Sequence, residues 1–185
     1  MKPQHIQHLY WRVGFGISIN ELDNLKSDSK SNIITSIFSK SKDVNLLQLD
    51  LSELNSIKSK KPKVLKNEMG EAAFQKLLQK GRQKIKDLNH AWIDRLSEPN
   101  FTLREKMTLF WANIFVCRDI NIFHIQHYNN TLRKHALGDF RNFVKAIAKE
   151  ASMSKYLNNS QHVKERPNEN FARELMELFT LGVGN

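Results

Sequence analysis

Residues 68–96 read EMGEAAFQKLLQKGRQKIKDLNHAWIDRL, and this stretch decides the fold class. Met69, Ala73, Leu77, Gly81, Ile85, Leu88, Trp92 and Leu96 step by four or three. The spacing predicts one helix from about Glu68 to Leu96 with a single apolar stripe, and Phe74 and Trp92 lie on or beside that stripe.

The chain on either side has the same period. Downstream, Pro99-Asn100 ends the long element, and Thr102-Leu103-Arg104-Glu105 matches a capping box that opens a helix through Met107, Phe110, Trp111 and Ile114. Residues 120–137 read as helical, and Asp139 is a cap for a helix over Phe140 to Lys149. A short turn at Ser152 to Leu157 and a polar loop at Asn158 to Asn168 follow. Pro167 precedes a last helix, Glu169 to Thr180, and Gly182 lies where a left-handed residue is expected beyond a helix end. Upstream, residues 39–67 are rich in Lys and Ser and read as a poorly organised loop. Ile33, Ile34, Ile37 and Phe38 have helical spacing. Ser18-Ile19-Asn20-Glu21 is another capping box, after Gly14-Phe15-Gly16 has ended a first helix over His5 to Val13.

Strand-like alternation is almost absent, and so is any internal repeat. The expected fold is therefore all-α, an irregular multi-helix bundle of about six to eight helices. Residues 1–185 are expected to form a single helical domain or the N-terminal fragment of one. Only three residues follow Gly182, so a larger helical fold is the expectation, with the C-terminal remainder of the full-length chain as a partner.

The composition is that of a globular protein: 40% hydrophobic and 26% charged. No apolar run approaches the roughly 20 residues that span a bilayer. The first residues lack the apolar stretch of a secretory signal, which leans the expectation to the cytoplasm. Cys117 is the one cysteine, so no intrachain disulfide forms. Lys plus Arg total 29 against 19 Asp plus Glu, a formal charge of +10. Of that excess, +7 falls in residues 58–106, with 13 basic and 6 acidic side chains. Lys76, Lys80, Lys84 and, a turn away, Lys66 form a cationic stripe on the long helix, with Arg82 and Lys86 beside it. Such a stripe binds phosphates or acidic proteins, or is simply the solvated face opposite the core.

Chemistry-bearing patterns are few. His5-x-x-His8 and His124-x-x-His127 are the closely spaced histidine pairs, yet neither has a carboxylate one turn away in the manner of a metalloprotease helix, so no metal site is assigned. Cys117 reads as a small buried apolar residue. Gly14-Phe15-Gly16 lacks the third glycine, the strand and the lysine of a phosphate loop. The last helix places Glu169, Arg173, Glu177 and Thr180 on one face, with Asn170 and Glu174 flanking it. Phe171, Leu175, Leu178 and Phe179 fall opposite. Arg173 is four residues from both Glu169 and Glu177, an ion ladder that is either solvated or part of a buried polar site with Asn168 or Asn170.

Four blocks then carry a resemblance: residues 8–16 (HLYWRVGFG), 103–111 (LREKMTLFW), 133–140 (RKHALGDF) and 167–182 (PNENFARELMELFTLG). In this order they resemble the bacterial domain of unknown function 1800 family. The resemblance implies a helical fold and a chain longer than this one, and it supplies no reaction or cofactor. Relatives follow the Phe-Trp pair with His-Asn-His-Phe, where this chain has Ala112-Asn113-Ile114-Phe115. The functional expectation is a helical scaffold or interaction module, with Lys76, Lys80, Arg82, Lys84 and Lys86 meeting an acidic protein or nucleic acid. The alternative is an enzyme or metal-dependent site on the polar face of the last helix, with Glu169, Arg173, Glu174 and Glu177 completed by residues beyond Asn185.

Overall fold

The computed structural model describes residues 1–159, 169–177 and 179–182. Within them the protein is all-α, with eleven α-helices, two 3-10 turns and no strand. No helix there is long and apolar enough to cross a membrane.

The first three helices make one small core. α1 (Pro3–Val13) starts on a proline, which gives up no needed amide at that position. α2 (Ile19–Leu25) opens with the expected capping box, Ser18 and Glu21 each serving the other's backbone amide. Ser29 caps α3 (Lys30–Lys40). Ile6, Tyr10, Leu22, Ile33 and Ile37 bury one stripe from each helix against the others. Gly14 sits where this unit meets α7 (Thr102–Ile114). A Cβ there would lie 1.8 Å from Thr102 Cγ2 and 3.2 Å from Thr102 Cβ. Thr102 is buried and β-branched, so it cannot swing aside. Gly14→Ala is therefore expected to destabilise the fold by about 1–3 kcal/mol. Chemical unfolding of Gly14→Ala with and without Thr102→Ser tests this: the second change should recover part of the loss, and strict additivity would contradict the clash.

Residues 41–51 have no regular structure, but they are well held. The Asn130 amide accepts from Leu47 N at 2.8 Å and donates to Leu47 O at 2.9 Å, and Gln126 Oε1 accepts from Leu49 N at 2.8 Å. Two residues of extended chain cover about 6.6 Å and four residues of helix about 6 Å, so side chains four apart on a helix match amides two apart on a strap. Leu47, Leu51 and Leu54 are buried with Leu88 and Ile122 as a second core. From residue 52 the Lys/Ser-rich stretch departs from the expected loop. It forms a 3-10 turn (Ser52–Leu54), α4 (Asn55–Ser59) and α5 (Pro62–Met69), the last anchored by buried Leu65.

The long helix is α6 (Glu71–Leu96), whose stripe buries Phe74, Gly81 and Leu88. It begins three residues later than expected, because Gly70 at φ 79 breaks it from α5. Pro99–Phe101 forms a 3-10 turn before α7. The expected Thr102 capping box does not form: Phe101 is the N-cap, without a side-chain cap. Glu105 turns inward instead, to a buried guanidinium on α8 (Ile122–His135) and to the Trp92 indole. A charged partner outcompetes a backbone amide for a carboxylate.

α9 (Phe140–Ile147) carries the expected Asp139 cap, and α10 (Ala151–Tyr156) follows. The last described helix is α11 (Asn170–Glu177). Phe115, Tyr128, Leu132, Phe143, Ile147, Met153, Leu157 and Phe179 form the third core, and Phe171 and Leu175 pack against it. The expected apolar face of the last helix is therefore the one turned to this core, with Phe171 and Leu175 partly buried. Leu178, Asn168 and the 160–168 part of the predicted polar loop lie outside the described residues. Gly182 has φ 92, as expected of a residue past a helix end.

Candidate functional site

The candidate binding and catalytic residues read from the sequence fall on two surfaces. On α6, Lys80 Nζ sits 2.7 Å from Glu53 Oε2 and Lys84 lies 4.0 Å from Glu53 Oε1. The Lys80 hydrogen bond and charge hold Glu53 below the usual carboxylate range. Arg82 is about 200° around the helix from Lys80, so the five cations form two ridges and not one face. Lys76, Arg82 and Lys86 are exposed and make no ion pair among the described residues.

On α11, Arg173 meets Glu177 at 3.1 Å, Glu174 at 2.9 Å and Asn170 at 2.9 Å. Glu169, expected as the third rung, makes no ion pair with Arg173 among the described residues; it precedes the first helical residue, and its carbonyl accepts from the Arg173 amide at 2.9 Å. Arg173 and Glu177 are close to half exposed, and pairs of that kind are worth about 0–1 kcal/mol. Glu174 lines a cavity of about 480 Å³ with Ile114, Val116 and Phe179, and its Oε2 has no hydrogen-bond partner among the described residues.

A larger concavity lies elsewhere, on α8. It measures about 710 Å³, and its lining includes Lys58, His124, His127, Thr131, Lys134, His135 and Glu150. Residues 124, 127, 131 and 134 are spaced three and four apart, so α8 presents them along one face. Leu46 and Gln48 of the strap also line it, and Asn130 and Gln126 hold that strap to α8. Lys58 arrives from α4, with its ammonium 5.9 Å from the Phe123 ring centre.

Two carboxylates fix the two histidine rings. Asp119, with its side chain 0% exposed, bonds His124 Nδ1 at 2.8 Å. Burial alone would raise the Asp119 pKa, but Lys155, His124 and the amides of Asn121 and Ile120 outweigh it, and the carboxyl lies below its ordinary range. Glu150, 6% exposed, bonds His127 Nδ1 at 2.9 Å. Its other oxygen accepts from the Thr131 hydroxyl at 2.6 Å. A carboxylate on Nδ1 holds the proton there and leaves Nε2 to serve the cleft, as a lone pair in the neutral ring or as a donor in the protonated one. At the far end, His135 stacks on Phe143 with ring centres 6.1 Å apart. Burial first, and Lys134 second, push its pKa below 6.5.

Among the described residues no group of three or more His, Cys, Asp or Glu side chains is placed to hold a metal ion. Cys117 is half-buried, and burial pushes its thiol up to about 11, so it is a poor nucleophile.

The sequence exposed the histidine pair but hid both partners. Asp119 lies five residues before His124, and its Oδ1 accepts from the Ile120 amide at 2.6 Å and the Asn121 amide at 3.1 Å, a local turn that an Asp-x-Asn before a helix can signal. Glu150 lies 23 residues beyond His127, and only the packing of α8 against the start of α10 brings it there.

A family model described as "Protein of unknown function (DUF1800)" matches residues 8–185. No curated protein and no solved structure matches the chain.

Proposed function

We propose, for a chain that belongs to the DUF1800 family, that it works as a helical binding module whose α8 cleft receives an anionic ligand. The carrying observation is the pair of histidines, each fixed at Nδ1 by a buried carboxylate, in a cleft that Lys58 and Lys134 also line. Two lysines and three histidines line it against one carboxylate, Glu150, which is already engaged by Thr131 and His127. Concave, polar-tipped and assembled from several elements, it has the features of a ligand site.

The test is a titration of the full chain with inorganic pyrophosphate, followed by NMR of the histidine rings. His124, His127 and His135 are expected to shift together while His5, His8 and His90 stay still. Lys134→Gln should weaken the interaction by about tenfold, the equivalent of one charge-assisted hydrogen bond of roughly 1.5 kcal/mol. Uniform shifts of all histidines, or none, would sink the reading.

A second reading has its own support. Lys76, Arg82 and Lys86 are exposed without ion-pair partners among the described residues, which suits an extended acidic protein or a nucleic acid on α6. Binding there is expected to collapse with added salt and with the triple change of these residues to Gln, and to ignore Lys134→Gln.

A further inference from the structure

The two histidine–carboxylate pairs of the cleft are not equivalent. Asp119 is shared: its Oδ2 takes the His124 ring, and its Oδ1 takes the Lys155 ammonium at 2.7 Å. Glu150 has no ammonium or guanidinium within ion-pair distance among the described residues, so its charge is answered by His127 and the Thr131 hydroxyl alone. The rings differ as well, since the His127 side chain is 75% exposed and that of His124 37%. An imidazole open at Nε2, fixed at Nδ1 and backed by an otherwise unbalanced buried carboxylate is arranged to act as a nucleophile.

We propose that His127 Nε2 is a phosphoryl acceptor, taking its group from a small donor of the phosphoramidate or acyl-phosphate class. The inference rests on the anion-binding reading of the cleft, because the donor has to be held there. In the step, the Nε2 lone pair of the neutral ring forms a bond to phosphorus. The donor's P–N or P–O bond breaks, and its electron pair leaves with ammonia, already protonated on nitrogen in phosphoramidate, or with a carboxylate. Nδ1 keeps its hydrogen, so the product ring is a phosphorylated imidazolium whose positive charge faces Glu150. Lys134, two turns along α8, and Lys58 supply positive charge for the phosphoryl oxygens. No oxidation or reduction occurs. Glu150 acts as a positioning residue through His127, and His90, exposed and outside the cleft lining, is the internal control.

The experiment incubates the full 185-residue chain with phosphoramidate and follows intact mass and phosphorus NMR. The expected result is a gain of one acid-labile HPO3 group that disappears in His127→Gln and persists in His90→Gln, which changes an exposed histidine outside the cleft lining. Glu150→Gln should slow labelling by roughly tenfold, with Glu150→Asp restoring part of the rate. Labelling of His127→Gln at the parent rate, or equal labelling of His5, His8 and His90, overturns the proposal. Thermal unfolding of each variant shows that it is folded, and if Glu150→Gln is not, the comparison of His127→Gln with His90→Gln still decides. Phosphate titration on the same samples separates the two readings. Ring shifts without labelling remove the acceptor role and leave anion binding, whereas silence in both removes both.

Discussion

Arg133→Ala is expected to cost about 3–5 kcal/mol of folding stability, the range for removing one member of a buried ion pair. For a chain of this size that lowers the unfolding midpoint by on the order of 10 °C. The guanidinium is 0% exposed and has four hydrogen bonds: Glu105 at 2.5 and 3.1 Å, Asn129 at 2.8 Å and Asn130 at 2.7 Å. Deleting it strands Glu105, whose side chain is 2% exposed, as a buried charge without a counter-ion. Arg104 does not substitute, since its own guanidinium is spent on the carbonyls of Ser41 and Arg133. The pair Arg133→Met and Glu105→Gln should recover much of the loss, because it removes both charges and keeps an acceptor for the Trp92 indole. Denaturant unfolding measures all three proteins. A cost below about 1 kcal/mol for the alanine variant would mean that the pair is solvated, contrary to the geometry. The same network reaches the cleft, because Asn130 bonds both Arg133 and the Leu47 strap. Arg133→Ala should therefore also weaken anion binding.

The readings that held were local ones. The Ser18 and Asp139 caps depend on residues within three positions, and each formed as the sequence implied. The stripe of the long helix is equally local, and Phe74 and Trp92 are respectively buried and half-buried, as core residues should be. Thr102 shows the limit. Its box was legible, but Glu105 is claimed by an arginine 28 residues away, and no periodicity reports that. The same holds for residues 39–67. Their Lys/Ser richness describes the outward side chains, while Leu47, Leu51, Leu54 and Leu65 are buried. Composition averages over the two faces and reports the wetter one. For the site, the histidine pair was visible in the sequence, but its meaning depended on Asp119 and Glu150, which the fold supplies. The α6 cations were visible too, yet Glu53 from the 3-10 turn engages two of them.

Phe143→Ala is expected to cost a further large sum, about 3–5 kcal/mol, as for other buried aromatics cut to alanine. The ring is 1% exposed and lies edge-on to Trp111 and Phe115, with centres 5.1 Å away in each case. Several helices and the residue that ends α7 converge on this core, so the surroundings have little freedom to collapse into the cavity. The variant should also change how stability depends on pH. His135, stacked on Phe143, has a folded-state pKa depressed below 6.5 by burial. A base held neutral in this way contributes fully above the unfolded value and loses that contribution as pH falls from 6.5 through the folded value, since the unfolded chain binds the proton more readily. Losing Phe143 opens the His135 ring to water and removes the cause of the depression. The acid limb below pH 6.5 should then be shallower in Phe143→Ala than in the parent, even though the whole curve lies lower. Denaturant midpoints across that range measure both effects. An acid limb of unchanged slope would locate the desolvation of His135 at the cleft wall, and a small loss at neutral pH would mean that the aromatic cluster repacks.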